Sequence, residues 1–218
     1  IVARDVLLAE ATGARYHLAH VSTRGAVRIL REAKSRGIQV TAEVTPHHLV
    51  LTDRELIGYR TFCKVTPPLR EAEDVEAVRA ALRDGTIDVI ATDHAPHATQ
   101  EKQQEFTEAP FGIVGLETAL SLTLALVDEG VLTLESAVDK LATAPAKAFS
   151  LNAGTLAVGA PADVAIVDPN REWQVDPSRF RSKSRNTPFA GWKVKGRVTT
   201  TIVSGRVVFE LDRSERQA

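Results

Sequence analysis

The 218-residue sequence has no methionine and one cysteine, Cys63. A single cysteine excludes a disulfide framework and fits a reducing compartment, so the cytoplasm is the expected location. Neither sign of charge is in excess: 27 Lys and Arg face 28 Asp and Glu, a net charge of −1. That balance offers no basic face to nucleic acid or to an anionic membrane surface. Long apolar runs are also missing. The stretch from Leu116 to Val127 is broken by Glu117, Thr118, Ser121 and Thr123 and is too short to span a bilayer. The missing methionine has a further consequence. The chain opens Ile1-Val2-Ala3-Arg4-Asp5, which reads as the inside of a helix, so we expect a C-terminal piece of a longer protein.

What is present is an alternation. Val2, Val6 and Ala9 fall on one helical face, and Gly13 closes that helix. Residues 16–21 read as a strand. Ser22 or Thr23 can cap a helix with Ala26, Val27, Leu30 and Ala33 inward, ending at Gly37. Residues 38–44 form a second strand, closed by Thr45-Pro46-His47-His48. Residues 49–70 look irregular, with Pro67-Pro68 breaking regular structure. Asp74 can cap a helix with Val75, Val78 and Leu82 inward. The apolar run from Ile87 to Ala91 reads as a strand buried on both faces. A polar loop over 94–112 follows, with residues 100–105 as its solvated centre, then helices near 115–127, 133–141 and 144–150. Strands alternating with helices predict an α/β fold with a parallel sheet, and three strands cannot close a barrel of eight. From Leu151 the pattern changes to short β-branched runs separated by Gly and Pro. Residues 162–167 and 197–203 read as strands, and Ser204-Gly205 turns the latter into 206–209 as a hairpin. The expected organisation is an α/β part over 1–150, a β-unit over 151–210 and a frayed polar tail over 211–218.

In a parallel α/β fold, chemistry gathers where strands end. Here they end in His20, in Glu43 through His48, and in Asp93-His94-Ala95-Pro96-His97. Imidazole and carboxylate suit zinc, which acidifies a bound water, and a carboxylate beside that water can shuttle its proton. Two ligands are not a site, and the chain has no close H-x-H pair. From spacing alone Asp93 is equally a capping residue with surface histidines beside it. His17, alternating with His20, is expected to face the helices, His47 and His48 to include a turn residue, and Glu43 to need a partner if buried.

The segments Ala19-His20-Val21-Ser22-Thr23, Glu43-Val44-Thr45-Pro46-His47-His48-Leu49, Pro67-Pro68-Leu69-Arg70, Ala91-Thr92-Asp93-His94-Ala95-Pro96-His97, Ala109-Pro110-Phe111-Gly112, Asn186-Thr187-Pro188-Phe189 and Val194-Lys195-Gly196 resemble, in this order, the class I (bacterial-type) dihydroorotase family of the amidohydrolase superfamily. The resemblance covers nearly the whole chain. It implies the C-terminal portion of a (β/α)8 TIM-type barrel, strands six to eight, plus part of a small β-sandwich. The segment before residue 1 would then carry an H-x-H pair, a bridging carboxylated lysine or aspartate, a further histidine, and an arginine and an asparagine that grip substrate.

Carried over by position, the resemblance makes His20 a zinc ligand and Asp93 both a zinc ligand and the catalytic acid/base. His97 becomes a substrate contact, His94 a positioner of its loop, and Phe111 and Gly112 residues whose backbone meets the substrate ring. Thr66 stands where relatives carry a substrate-binding asparagine, and a hydroxyl offers one donor where an amide offers two. Ala19 replaces a cysteine that, with the glutamate matching Glu43, holds an extra zinc in some members, so no third metal is expected. The implied activity is reversible, zinc-dependent cyclisation of N-carbamoyl-L-aspartate to dihydroorotate in pyrimidine biosynthesis, with two Zn2+ per full-length subunit. In ring opening, water activated by zinc attacks the ring amide carbonyl, and Asp93 carries the proton to the leaving nitrogen. The loop at 98–110 would order over substrate. A homodimer and association with aspartate carbamoyltransferase are the implied partners. A hydantoinase or allantoinase, and a non-catalytic scaffold for aspartate carbamoyltransferase, stand as alternatives; the presence of both His20 and Asp93 speaks against the scaffold.

Overall fold

Helix boundaries in the first half fall where a side chain or a glycine can satisfy the backbone. In the computed structural model, which describes residues 1–211, helix α1 (Val2–Thr12) ends at Gly13 in the left-handed region, φ 69°. After strand β1 (Tyr16–Leu18), Thr23 caps α2 (Arg24–Ser35), its hydroxyl accepting the Ala26 N–H at 3.2 Å. Strand β2 (Val40–Val44) runs into α3 (Pro46–Val50), a short helix where a turn was expected. Its start follows from chemistry the sequence displays: Thr45 caps it and Pro46 sits at its first position, where no N–H is needed. Helix α4 (Ala72–Asp84) starts after Glu71 without a side-chain cap. Asp74, expected to cap it, instead accepts the Arg24 N–H at 2.9 Å and so satisfies the first turn of α2.

Strand β3 (Val89–Ile90) completes a parallel sheet of order β1-β2-β3, with Leu18 opposite Ala42 and Val44 opposite Ile90. The strand expected from Ile87 to Ala91 is regular only over its centre, though the N–H groups of Asp88 and Ala91 also donate to the carbonyls of Ala42 and Val44. Burial alternates along β2: Val40, Ala42 and Val44 are buried, whereas Thr41 and Glu43 are half-buried. The buried side belongs to the core with Val27, Leu30 and Ala33 of α2 and Val78, Ala81 and Leu82 of α4. Each fully buried Leu among them contributes about 2 kcal/mol from area removed from water. Asp88 ties this layer together, accepting from Lys34 Nζ at 2.7 Å and from the Ala42 N–H at 2.8 Å.

His17 does not lie on the buried side. It sits opposite Thr41 on the half-exposed face, its Nε2 3.2 Å from Glu43 Oε2 and its Nδ1 2.8 Å from Thr41 Oγ1. Alternation decides this: Leu18 takes the buried side, so its neighbour takes the other. Glu43 thereby has the partner its position requires. Helix α5 (Thr99–Lys102) interrupts the loop after β3.

The chain divides into two compact units whose boundary differs from the change of composition near residue 150. One comprises Ile1–Ala119 with Asp176–Ala190, the other Leu120–Val175 with Gly191–Ala218. The second holds α6 (Ala119–Asp128), α7 (Leu134–Val138) capped by Thr133, a π-turn at Asp139–Thr143 and α8 (Ala144–Ala148). Its antiparallel sheet of order β4-β5-β6 comprises β4 (Val164–Gln174), β5 (Lys193–Val203) and β6 (Arg206–Glu210). The expected hairpin is present, with Ser204 and Gly205 both at positive φ, as a two-residue turn between right-twisted strands requires. Strand β4 runs past Pro169 because the register shifts between Asp168 and Glu172, and a bulge tolerates a residue without an N–H. Gly196, φ 90°, lies so close to the Leu124 side chain that a Cβ would overlap it. Of the expected tail, Leu211 is buried and bonds Thr199 through its backbone, and residues 212–218 lie outside the described residues. No described helix is long and apolar enough to cross a membrane.

Candidate active site

Two of the residues named from the sequence share an uncommon backbone. His20, two residues after β1, has φ 39°, and Asp93, three residues after β3, has φ 46°. Side chains larger than glycine seldom adopt this region, and Asp and His are among those that adopt it most readily. Both strands are parallel, so both breaks lie at strand ends of the same sense. Each strand stops by turning left-handed at the residue that bears the imidazole or the carboxylate. Both side chains are half-buried, and neither has a hydrogen bond or ion pair to another described residue. No such bond joins His20 to Asp93 either.

The segment after Asp93 is held by its own side chains. His94 Nδ1 accepts the N–H groups of Gly115 and Leu116 at 3.1 and 3.4 Å, which puts its ring proton on Nε2. His94 also bridges to Ile113, and the Ala95 N–H donates to the Ile113 carbonyl at 2.9 Å. His97 donates from Nε2 to the Phe111 carbonyl at 2.8 Å, and its Nδ1 lies 3.8 Å from Glu101 Oε2. Asn186 closes the arrangement. Its amide donates to the carbonyls of Ala95 (2.9 Å) and Gly112 (3.1 Å), and its oxygen accepts the His97 N–H at 3.2 Å. Gly112 has φ 128°, and a Cβ there would lie 2.5 Å from Ala95 Cβ and 3.2 Å from His97 Nε2. The structure therefore brings His97, Phe111 and Gly112 together.

Gly112 spends its backbone polar groups within the protein. Its N–H donates to the Lys64 carbonyl at 2.9 Å, and its carbonyl accepts from both Asn186 and Lys102. Two lone pairs are then engaged. The Phe111 ring is 52% exposed, and Lys64 Nζ stands 4.6 Å from its centroid. Thr66 is exposed, bonds to none of the other named residues, and precedes a cis Pro67.

Two features were not legible in the residue pattern. Lys102 lies in the polar run 100–105 yet is fully buried, the opposite of a solvated centre. Its neighbours in that run are exposed, so composition could not single it out. Asn186 belongs to a quoted motif, but nothing local marks an asparagine that satisfies positions 95, 97 and 112. On α3, His47 and His48 are buried with rings 4.5 Å apart. His48 accepts from the Thr45 hydroxyl at 2.7 Å and donates to the Pro67 carbonyl at 2.9 Å, and burial pushes it down to about 4. Burial, with charge on His48 and His20 adding to it, holds His47 well below the ordinary imidazole range, and its Nε2 has no partner.

An imidazole and a carboxylate, both free of internal bonds, fit zinc in kind. Among the described residues, however, no group of three or more His, Cys, Asp or Glu could hold a metal ion.

A model of the amidohydrolase family matches residues 3–208. The chain is 55% identical to a dihydroorotase of Syntrophus aciditrophicus over 97% of its own length and 50% of that protein. It is 59% identical to one of Anaeromyxobacter dehalogenans over 99% of its length and 50% of that protein. Among solved structures, L-hydantoinase (dihydropyrimidinase) from Arthrobacter aurescens superposes with a TM-score of 0.90 at 35% identity, covering 96% of this chain and 48% of that one. Dihydropyrimidinase from Brevibacillus agri superposes equally well at 28% identity, over 96% of this chain and 48% of that chain. The chain thus spans about half the length of the curated relatives it matches, and its fold is that of half a barrel enzyme with part of the attached sandwich.

Proposed function

Because the chain belongs to the amidohydrolase family, we propose that it carries the C-terminal half of a dihydroorotase, cytoplasmic, acting on a small cyclic amide. The observation that carries this reading is the pair of left-handed strand ends at His20 and Asp93, both with free donor side chains. Residues 1–150 then supply barrel strands six to eight, and residues 151–210 a sandwich segment. His20 and Asp93 would hold zinc, two ions per complete subunit, with ligands contributed from outside this chain. Bound there, the metal supplies Lewis acidity toward the ring carbonyl and a water that is acidic at neutral pH.

The chain's own residues do the rest. The Asp93 carboxylate takes the proton from the attacking water and delivers it to the ring nitrogen as the C–N bond breaks, which turns dihydroorotate and water into N-carbamoyl-L-aspartate. His97, anchored to Phe111 through Nε2, turns its ring toward the substrate's carboxylate. Phe111 covers the ring face and keeps a free backbone N–H for a substrate oxygen. Gly112 contributes room, since both its polar groups are engaged. Thr66 offers a hydroxyl from the exposed edge. A homodimer and docking to aspartate carbamoyltransferase extend the same reading.

Substrate profile tests it. A complete protein carrying these residues should open the dihydroorotate ring and leave hydantoins and allantoin untouched. Activity on hydantoins with none on dihydroorotate would replace the reading by its nearest alternative. The relatives favour dihydroorotate, since the 55–59% identities belong to proteins of that name, whereas the hydantoinase structures share 28–35%.

A further inference from the structure

Lys102 is the largest fully buried side chain, yet it carries an ammonium group. A buried ammonium is tolerated only when its donors are met. Lys102 Nζ donates to the carbonyls of Pro110 (2.8 Å) and Gly112 (3.0 Å), and lies 3.5 Å from that of Lys64. The two residues it grips flank Phe111. Helix α5, which carries it, is tied down in turn: the Thr61 hydroxyl donates to the Lys102 carbonyl, and the Ala98 N–H donates to Glu101 at 2.9 Å. A second lysine works from the other side. Lys64 Nζ donates to the carbonyls of Phe106 (2.5 Å) and Thr107 (3.1 Å) and stands over the rings of Phe106 and Phe111. The carbonyls of Phe106, Thr107, Pro110 and Gly112 are thus held by an ammonium, and that of Gly112 by Asn186 as well.

We propose that Lys102 is a positioning residue for the substrate-binding loop: by holding the carbonyls on both sides of Phe111 it sets the direction of the Phe111 ring and of its free N–H. The consequence for His97 follows from the same geometry. His97 Nε2 takes its bearing from the Phe111 carbonyl, so a loop that loses Lys102 also releases that imidazole. Burial, with the Lys64 charge adding to it, pushes Lys102 down to about 8, so its proton is held loosely for a lysine. The proposal rests on the dihydroorotase reading for its substrate, but not for its geometry.

The test uses the complete zinc-loaded protein and the variants Lys102→Met and Lys102→Gln. Methionine keeps the length and loses all three donors, while glutamine keeps two N–H donors and no charge. We expect Lys102→Met to raise KM for dihydroorotate about tenfold or more with kcat changed less than about threefold. Lys102→Gln should fall between it and the parent. Zinc content should not change, and amide exchange should accelerate in peptides covering 106–112 but not in those covering β1–β3. A fall in kcat at unchanged KM, or parental exchange over 106–112, would overturn the proposal. If Lys102→Met does not fold, Lys102→Gln carries the same comparison. If the parent protein opens hydantoins instead of dihydroorotate, the functional reading fails while the exchange measurement still decides whether Lys102 holds the loop.

Discussion

Asp93 is a residue whose backbone and side chain make separate demands. Its φ of 46° favours Asp, Asn or Gly. Asn at this position keeps the turn and the shape but cannot take a proton and is a poorer metal ligand, so Asp93→Asn separates the proposed site roles from the fold. We expect kcat to fall by about 10³-fold or more in a complete protein, with zinc content reduced and the unfolding midpoint nearly unchanged. A kcat within tenfold of the parent would remove Asp93 from the proton path. Gly112 makes the opposite test, since its demand is purely steric. An alanine Cβ would overlap Ala95 Cβ, and φ 128° is foreign to L-residues. Gly112→Ala should therefore cost about 1–3 kcal/mol of stability and break the His97–Phe111 bond, which the His97 imidazole shifts in an NMR spectrum would report. Retention of both the unfolding midpoint and those shifts would show that the loop relaxes around the methyl group.

At the scale of elements, α3 stores a pH dependence. His48 is neutral in the fold down to about pH 4, whereas an unfolded histidine takes up its proton near 6.5. Between those values the unfolded chain binds more protons, so stability is present above about pH 6.5 and is lost as pH falls toward 4. The loss attributable to His48 is on the order of 3 kcal/mol, and His47 acts in the same direction. Urea unfolding at pH 7 and pH 4.5 should show the drop, and His48→Gln, whose amide can still donate to the Pro67 carbonyl, should shrink it. An unchanged difference between the two pH values would place the acid sensitivity elsewhere. This helix also marks a limit of legibility. Helices α1, α2 and α4 were readable because their apolar spacing repeats over three turns. Five residues starting with Pro46 offer no such period, although Thr45 and Pro46 are a readable cap. Strand β4 was cut short for the complementary reason: Pro169 is a breaker in general, but not at a bulge. The named strand ends were legible because apolar runs stop at a charged or titratable residue. Lys102 and Asn186 were not, because their roles come from contacts with positions 8 to 91 residues away.

For the molecule as a whole, the donor count sets the expectation. Catalytic zinc takes three protein ligands and keeps one position open. This chain brings His20 and Asp93, and no larger group of donors among its described residues. The parallel sheet has β1 and β3 as edges, with backbone groups that a neighbouring strand would pair. Its half-exposed face carries His17, Thr41 and Glu43, a polar set suited to further polar partners rather than to water alone. In the other unit, Ile166, Val207 and Val208 are apolar and 49–61% exposed on the sheet. Both sheets thus present partly exposed surfaces, and on the proposed reading His20 and Asp93 would need further ligands. We therefore expect a preparation consisting only of these 218 residues, 23.6 kDa by intact mass, to bind zinc weakly and to open no dihydroorotate ring. Mixing it with a polypeptide that supplies the remaining ligands should restore both properties together, because on the proposed reading Asp93 serves metal and proton alike. Turnover comparable to that of a complete relative, from material whose intact mass excludes any added segment, would sink the expectation and require three donors to assemble from this chain or from a second copy of it.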